Sequence, residues 1–299
     1  MGRLSPLNGI PSHPLVVKTP KLTAVEDEFE TLRRERDPVV RGRRATELLI
    51  LYQQRSTELA RIRRAAIEEA RDLLGGSYTE VARAFGLTKG RITQIRNSAP
   101  PAHRAFFGVG PLEVALPGRR ILSRDDLVIA AEDDATGAHL IAEAERLAFA
   151  TERVIIDPRQ EWEPRGDAIV VCGPASAHIG NLLMSADPVL GMRIGDGAKW
   201  HIVDKTTGEQ HTSPMDDTDE PRRADHAYIA RHARDGQAIT HIAGLHALGS
   251  VGAAHYLTEH LPDLWAEFGD TSFSMAVTGE FDGMQPKAIS VLFPPRPWS

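Results

Sequence analysis

The stretch SYTEVARAFGLTKGRITQIRN, residues 77–97, has the pattern of two short helices joined by a sharp turn. Val81, Ala82 and Phe85 share one helical face, and the small side chain of Ala82 allows a second helix to cross closely. Gly86 can adopt the left-handed backbone conformation that a sharp turn between helices requires. The pattern therefore predicts a helix-turn-helix.

The second helix of this pair separates apolar from polar side chains. Thr88 can cap its first turn, and Ile92 and Ile95 form its inner face. The outer face holds the kinds of side chain that contact base edges and phosphates in a DNA major groove. The predicted DNA-binding residues are Thr88, Lys89, Arg91, Thr93, Gln94, Arg96 and Asn97. The alternative interpretation is a structural helical hairpin that binds no nucleic acid.

Charged side chains divide the chain into a basic and an acidic part. Residues 33–104 contain 16 Lys and Arg against 8 Asp and Glu, whereas residues 105–299 contain 16 against 29. A basic segment joined to an acidic one is typical of a nucleic-acid-binding module that carries a separate effector domain. The alternative is that these are two solvated surfaces whose charges differ by chance. This alternative is disfavoured because the basic segment is the one that contains the predicted helix-turn-helix.

The motif resembles a known class of DNA-binding proteins. Thr79-Glu-Val-Ala, followed by Gly86-Leu-Thr-Lys-Gly-Arg-Ile-Thr-Gln-Ile, is similar to the helix-turn-helix of sigma factor region 4 and of related bacterial regulators. The wider segment, from about Asp37 to Arg104, resembles DNA-binding segments of actinobacterial regulators and covers about a quarter of the chain. The resemblance implies a recognition helix that contains Lys89, Arg91, Thr93 and Gln94. Promoter opening is not expected, because no aromatic-rich helical region of a true sigma factor is found.

Four segments are predicted along the chain. Residues 1–22 contain four prolines and few large apolar groups, which predicts a disordered arm. Residues 23–104 have apolar side chains at helical spacing and predict an all-α domain that includes the helix-turn-helix. Residues 105–119 are interpreted as a linker. Residues 120–299 alternate apolar strands with helices, which predicts an α/β domain with a mostly parallel, Rossmann-like sheet and flanking helices.

The predicted elements follow from these periodicities. The predicted helices cover residues 23–36, 39–53, 55–74 (the last two separate or one bent helix), 135–149, 176–185 and 250–268. The predicted strands cover residues 127–131, 154–156, 168–172, 200–203, 209–212, 226–231, 239–243, 273–278 and 288–293.

Two glycine-bearing turns join an apolar strand to a helix in the α/β part, after Cys172 and after Ala243. The free amides and the positive dipole end of a helix start form a good anion site, and ligands of parallel sheets bind beyond the carboxyl ends of the strands. The predicted ligand-binding residues are Gly173, Ser176, Gly244, His246, Gly249, Ser250 and Gly252. The alternative is that these glycines only permit tight turns and close packing.

Catalytic motifs are not found in the α/β part. The spacing of the glycines fits neither a Walker loop, which requires Lys where Ser250 stands, nor the dinucleotide fingerprint. A serine hydrolase centred on Ser250 is disfavoured, because no histidine follows Asp263. Asp133 and Asp134 follow a predicted strand and are expected to cap the next helix, with binding of ribose hydroxyls as the alternative. No catalytic residue and no metal ligand is assigned.

These features predict a DNA-binding transcriptional regulator. Its α/β domain is expected to sense a small, nucleotide-like or otherwise phosphate-bearing ligand, or to mediate dimerisation; no definite cofactor is assigned. The expected partners are double-stranded DNA, a second copy of the chain and a small-molecule effector. No membrane is expected, since no apolar run approaches the ~20 residues of a membrane span. The single cysteine and the absence of a signal-peptide pattern predict a cytoplasmic location.

An enzyme is the competing interpretation. The α/β domain would then process a nucleotide or nucleoside, at its phosphate or glycosidic bond, and the helix-turn-helix would target it to DNA.

Overall fold

The computed structural model describes residues 23–120, 126–217, 223–234 and 236–298. The disordered arm predicted over residues 1–22 lies outside the described residues. The chain divides into two compact units, residues 1–49 and residues 50–299. Within the described residues, no helix combines the length and the apolar character needed to cross a lipid bilayer.

The first unit contains helix α1 (Thr23–Arg34) and the beginning of helix α2 (Pro38–Leu73). Asp37 caps α2, because its Oδ1 accepts hydrogen bonds from the amides of Val39, at 2.8 Å, and Val40, at 3.3 Å. The first residue of α2 is a proline, which fits this position because the amide it lacks would have no partner within the helix. Of the two possibilities left open by the sequence for residues 39–74, a single helix is observed.

In the second unit, the end of α2 is followed by two short helices, α3 (Tyr78–Ala84) and α4 (Lys89–Ser98). The connecting turn passes through Gly86, which has the expected positive φ of +65°. The inner faces of the three helices form one buried cluster. Its fully enclosed members are Ile67, Val81, Ala82, Ile92 and Ile95. Phe85, placed by the sequence on the same helical face as Val81 and Ala82, directly follows α3 and is 38% exposed.

The remainder of the second unit is an α/β domain. Its strands are β1 (Leu112–Pro117), β2 (Arg119–Arg120), β3 (Leu127–Val128), β4 (Thr151–Ile156), β5 (Ala168–Val171), β6 (Leu190–Ile194), β7 (Trp200–Asp204), β8 (Gln210–Thr212), β9 (Ala224–Arg234), β10 (Gln237–Gly244), β11 (Phe273–Asp282) and β12 (Gln285–Pro297). Its longer helices are α5 (Ala131–Arg146), α6 (His178–Ala186) and α7 (Ala247–Phe268).

Seven of these strands form one mixed sheet, in the order β12-β11-β9-β10-β5-β1-β4. The pairs β4–β1, β1–β5 and β5–β10 are parallel. The pairs β10–β9, β9–β11 and β11–β12 are antiparallel. The α/β class is therefore observed, but the prediction of a mostly parallel sheet was wrong. The reason is that only two residues separate β9 from β10 and β11 from β12, and so short a connection can only form a hairpin.

Strand β1 lies within residues 105–119, the segment interpreted as a linker. All of its residues are buried, and it pairs with both β4 and β5. Just before it, a 3-10 turn (Ala102–Phe107) places Phe106 and Phe107 in the core. Glycine and proline residues flank this short apolar run and gave it the composition of a linker, although the run itself is a central strand. The proposed domain limits remain a prediction.

Both faces of the sheet are covered. Helices α5 and α7 pack on one face, in a cluster that includes Leu140, Leu257 and Leu261. Helix α6 covers part of the other face through Ile179 and Leu183. The small sheet of β6, β7 and β8 covers more of that face, where residues of β6 and β7 pack against residues of β9 and β11. This arrangement leaves the carboxyl ends of β1, β5 and β10 open between the helix starts.

A buried arginine joins α2 to the α/β domain. The Arg104 guanidinium is inaccessible to solvent, and it donates hydrogen bonds to Gln54 Oε1 on α2, at 2.9 Å, and to the carbonyl oxygen of Leu147, at 3.1 Å. Glu58 on α2 contributes a carboxylate at 3.4 Å, and the ring of Phe149 lies 3.9 Å from the guanidinium carbon. Buried guanidinium donors are satisfied here by oxygens of separate elements, so the contact orients α2 on the sheet domain.

We expect Arg104→Met to destabilise the protein by about 3 kcal/mol, because the buried Gln54 and Leu147 oxygens lose their donor and the Glu58 carboxylate keeps only Arg61 as a partner. The free energy of unfolding, measured by urea denaturation, tests this. The control is Arg146→Met on α5, whose side chain is 63% exposed and paired with Glu143, and for which we expect a change within about 0.5 kcal/mol. Equal effects of the two substitutions would contradict the role given to Arg104.

Candidate functional site

The outer face of α4 is open to solvent, while Ile92 and Ile95 on the opposite face are 1% and 2% exposed. Thr88 is exposed and caps the helix, because its Oγ accepts a hydrogen bond from the amide of Arg91 at 3.2 Å. The Arg91 guanidinium also donates to Gln94 Oε1 at 2.6 Å, so these two side chains lie together on the surface. The predicted DNA-binding residues that are exposed on this face are Thr88, Lys89, Arg91, Thr93, Gln94 and Asn97.

Arg96, predicted with this set, points back to the helical core instead. Its Nε lies 2.5 Å from Glu68 Oε1 on α2, and its guanidinium carbon lies 4.2 Å from the centre of the Tyr78 ring. The Tyr78 hydroxyl donates to the other Glu68 oxygen at 2.8 Å. Arg96 therefore holds α4 against α2 and α3. Its position next to Asn97 did not reveal this role, because the partner Glu68 is 28 residues away.

A second candidate site is a cleft of about 570 Å³ in the α/β domain. It lies beyond the carboxyl ends of the parallel strands β1, β5 and β10, and it is also lined by the first turns of α5 and α7. This is the edge of the sheet at which the sequence predicted a ligand. The predicted residues that line the cleft are Gly173, Ser176, Gly244, His246 and Ser250.

Gly249 and Gly252, the other two predicted ligand-binding residues, do not line the cleft. A Cβ atom on Gly249 would lie 2.5 Å from the carbonyl oxygen of His226, and one on Gly252 would lie 3.1 Å from the ring of Phe281. These glycines allow α7 to approach β9 and β11 closely, which is the alternative that the sequence left open.

The turn between β10 and α7 is organised by Asp225, which sequence reasoning missed. This carboxylate is fully buried, and its Oδ2 accepts hydrogen bonds from the amides of His246, at 2.9 Å, and Gly249, at 2.7 Å. Its Oδ1 accepts from the Ser213 hydroxyl at 2.6 Å. Burial raises the pKa of Asp225, and the hydrogen bonds oppose this shift. Asp225 thus occupies the helix start at which a ligand anion was expected. Its role could not be predicted from neighbouring residues in the sequence, because its contacts join β9 to the start of α7.

Asp133, at the start of α5, faces the cleft instead of capping the helix. Ala130 is the N-cap residue, and no side chain caps this helix start. Asp133 is 4% exposed, and its nearest charged partner is Arg119, whose Nη2 lies 3.6 Å from Oδ2. Burial raises the pKa of Asp133 to about 6, against the opposing effect of Arg119. Asp134 is exposed and forms an ion pair with Arg153.

The Cys172 thiol and the Ser250 hydroxyl in the cleft are not arranged as activated nucleophiles. Burial raises the pKa of Cys172 to about 12, so its thiol stays protonated at neutral pH. The Ser250 hydroxyl accepts a hydrogen bond from the amide of Gly244 at 3.0 Å. His246 Nε2 lies 3.0 Å from Asp216 Oδ1. Among the described residues, no group of three or more His, Cys, Asp or Glu side chains could hold a metal ion.

Comparison of the chain with protein-family models, with curated proteins and with solved structures gives no match.

We expect Asp133→Asn to become more stable than the parent protein as the pH rises. The folded-state pKa of about 6 lies above the unfolded value of about 3.9, so the parent loses stability between pH 4 and pH 6 as a buried carboxyl becomes charged. The neutral amide avoids this loss, and the difference in unfolding free energy should grow to at most roughly 3 kcal/mol at pH 7.5.

Urea denaturation at pH 4, 5.5 and 7.5 measures this difference. The control Asp134→Asn alters an exposed carboxylate on the same helical turn and should show no comparable pH dependence. A difference for Asp133→Asn that does not change with pH would contradict the burial effect.

Proposed function

We propose that this protein is a DNA-binding regulator of transcription in which α3 and α4 form a helix-turn-helix. The observation that carries the proposal is the two-sided character of α4. Its isoleucines are buried against α2 and α3, while a row of donor and acceptor side chains remains exposed with no apolar neighbour among them. A helix with this division can enter a major groove without disturbing the cluster that holds it.

Some of the exposed side chains would contact bases and others would contact phosphates. Arg91 suits bidentate contact with a guanine, and Gln94 and Asn97 suit contact with an adenine. Lys89 at the start of α4 suits a phosphate, as do the exposed Arg55 and Arg63 on α2. Arg96 has no part in this contact, because its guanidinium is bound to Glu68.

The α/β domain would bind the small effector in the cleft, and α5 offers a physical connection to the DNA-binding helices. The first turn of α5 lines the cleft at Asp133, and the chain just after its last turn presents the Leu147 carbonyl to Arg104. Arg104 in turn holds Gln54 on α2. A ligand would alter DNA affinity only if it binds the two arrangements of α5 unequally.

We propose that the protein binds DNA as a homodimer, because one helix-turn-helix reads few base pairs. The second half of α2 presents an apolar stripe on a side not used by the contacts to Arg104. Leu59, Ile62 and Leu73 are 66%, 48% and 85% exposed. Leu59, Ile62 and Ala66 follow the spacing of three and four residues by which two helices pack against each other, and Leu73 lies seven residues further on the same face. We propose that this stripe packs against the same stripe of a second copy of the chain.

An enzyme acting on nucleotides or nucleosides is the second candidate, and Asp133 is the observation that favours it. A buried carboxyl with a pKa of about 6 suits a general acid at neutral pH. Incubation of the full chain with nucleotides, including NAD, followed by chromatography of the products, distinguishes the candidates. Turnover that disappears in Asp133→Asn supports the enzyme, and saturable binding without product supports the regulator.

The test of DNA binding uses sequences that the protein enriches from a random DNA pool. We expect Arg91→Ala to weaken binding to the enriched sequence by about 1–3 kcal/mol, roughly 5- to 150-fold, and to weaken binding to random DNA less. Fluorescence anisotropy at fixed salt measures both affinities. The control Arg193→Ala removes an equal charge from an exposed residue of β6 and should leave both affinities unchanged.

Equal losses on enriched and random DNA would reduce Arg91 to a phosphate contact. A protein that binds no DNA even at low ionic strength would contradict the proposed function.

The test of the dimer uses sedimentation velocity. We expect the parent protein to sediment as a dimer and Ile62→Glu as a monomer, because a buried unpaired carboxylate would face the partner helix. The control Arg63→Glu places the same side chain at the adjacent exposed position, off the stripe, and should remain dimeric. A dimer that survives Ile62→Glu, or a parent protein that is monomeric, would contradict this assignment.

A further inference from the structure

A carboxylate of the chain itself lies at the positive end of α7. The amides of His246 and Gly249, which the sequence offered to a ligand phosphate, donate to the Asp225 carboxylate. The amide of Gly244 donates to the Ser250 hydroxyl. A phosphate bound at this helix start would have to compete with these acceptors and would lie next to a buried carboxylate. Asp225 therefore already occupies two of the amides that an anion would need at this helix start.

The charges around the cleft point in the same direction. Among the described residues that line it, Glu132 and Asp133 are acidic, and Arg119 is the only Lys or Arg. Arg119 is 62% exposed at its side chain and is already shared with Asp133. Sites for phosphate groups in proteins combine several amides and cations, and this cleft provides neither in excess. A dianionic group would meet net repulsion here.

Asp133 is a hydrogen-bond acceptor that faces the cleft. Its side chain is 5% exposed, and within the described residues it accepts no hydrogen bond from the protein. Its carboxyl oxygen lies 3.6 Å from Arg119 Nη2, which is longer than a hydrogen bond. A hydroxyl group both donates and accepts, so one hydroxyl can donate to Asp133 and accept from Arg119 at the same time. An ammonium group could satisfy only the carboxylate.

Part of the cleft lining is apolar. Pro117, Val171, Leu245 and Leu248 contribute to its walls, and its volume of about 570 Å³ falls within the range of roughly 300–1,000 Å³ that is typical of small-molecule sites. The cleft thus combines an apolar surface with a single acceptor–donor pair.

We propose that the cleft binds a neutral nucleoside, with a sugar hydroxyl between Asp133 and Arg119 and without a phosphate at the start of α7. The inference rests on the proposed ligand-binding role of the cleft and narrows its ligand class. It also assigns to Asp133 the function that the sequence had ranked second to capping, since the structure leaves its carboxyl group uninvolved in the cap.

Isothermal titration of the full-length protein at pH 7.5 tests the proposal. The probes are adenosine, guanosine, cytidine and uridine, each compared with its 5′-monophosphate. We expect at least one nucleoside to bind with a dissociation constant below about 1 mM and at least tenfold more tightly than its monophosphate. Asp133→Ala should weaken that binding at least tenfold, and Asp133→Asn, which keeps one acceptor oxygen, should weaken it less.

The matched control is Asp134→Ala, which removes an exposed carboxylate one residue away and should keep the parent affinity. Tighter binding of a monophosphate, no binding of any of the four nucleosides, or unchanged affinity in a folded Asp133→Ala variant would each overturn the proposal. The DNA affinity of the parent protein without ligand is measured alongside. If the nucleosides fail while DNA binding persists, only the ligand class is overturned; if DNA binding itself is absent, the proposed function fails.

Discussion

The buried guanidinium of Arg104 is the contact on which the arrangement of the second unit depends. A solvent-inaccessible charge is tolerated only when its donors are satisfied, and here the acceptors come from α2, from the chain after α5 and from the segment before β1. Because α2 is followed by α3 and α4, Arg104, together with the Gln54 amide that donates to the Ala148 carbonyl, helps to hold the helical elements on the sheet domain. The carboxylate of Glu58, held by Arg61, adds a partner that is itself partly buried.

Next to the cleft, a buried negative charge is likewise satisfied by hydrogen-bond partners. Asp225 is a buried carboxylate whose oxygens are filled by backbone amides and a serine hydroxyl, so the turn before α7 keeps its shape without a ligand. Asp133 differs, since it is buried but lacks donors from the protein. The Asp225 carboxyl group therefore stabilises the turn, whereas the Asp133 carboxyl group can still accept hydrogen bonds from a ligand. This contrast, more than any motif, identifies the part of the cleft that is available to a partner.

The local features of the helical segment could be predicted from sequence. Gly86, the Thr88 cap and the burial of Ile92 and Ile95 depend on neighbours within one or two turns, and all are observed. Arg96 could not be assigned in this way, because its partner Glu68 lies on another helix. The same limit applies to Asp225, whose contacts with the start of α7 depend on the pairing of β9 with β10.

The sheet illustrates a different limit. Apolar runs located most of the strands, but their direction depends on the connections between them. Two-residue loops made the pairs β9–β10 and β11–β12 antiparallel, and β11 also pairs antiparallel with β9 after the long connection through α7. Strand β1 was hidden by the glycines and prolines on either side of it, although its own residues are completely buried. The sheet edge at which the glycine turns meet was nevertheless located, since it requires only that β5 and β10 be parallel.

We propose that the exposed face of α4 lies in the major groove of DNA, and the roles of the other parts depend on this contact. Dimethyl sulfate footprinting on an enriched DNA sequence tests it directly, because this reagent methylates guanine N7 in the major groove. We expect guanines within each half-site to be protected, and we expect this protection to be lost in Arg91→Ala while the protein still occupies the DNA. Bound DNA whose guanine N7 atoms all remain reactive would contradict it.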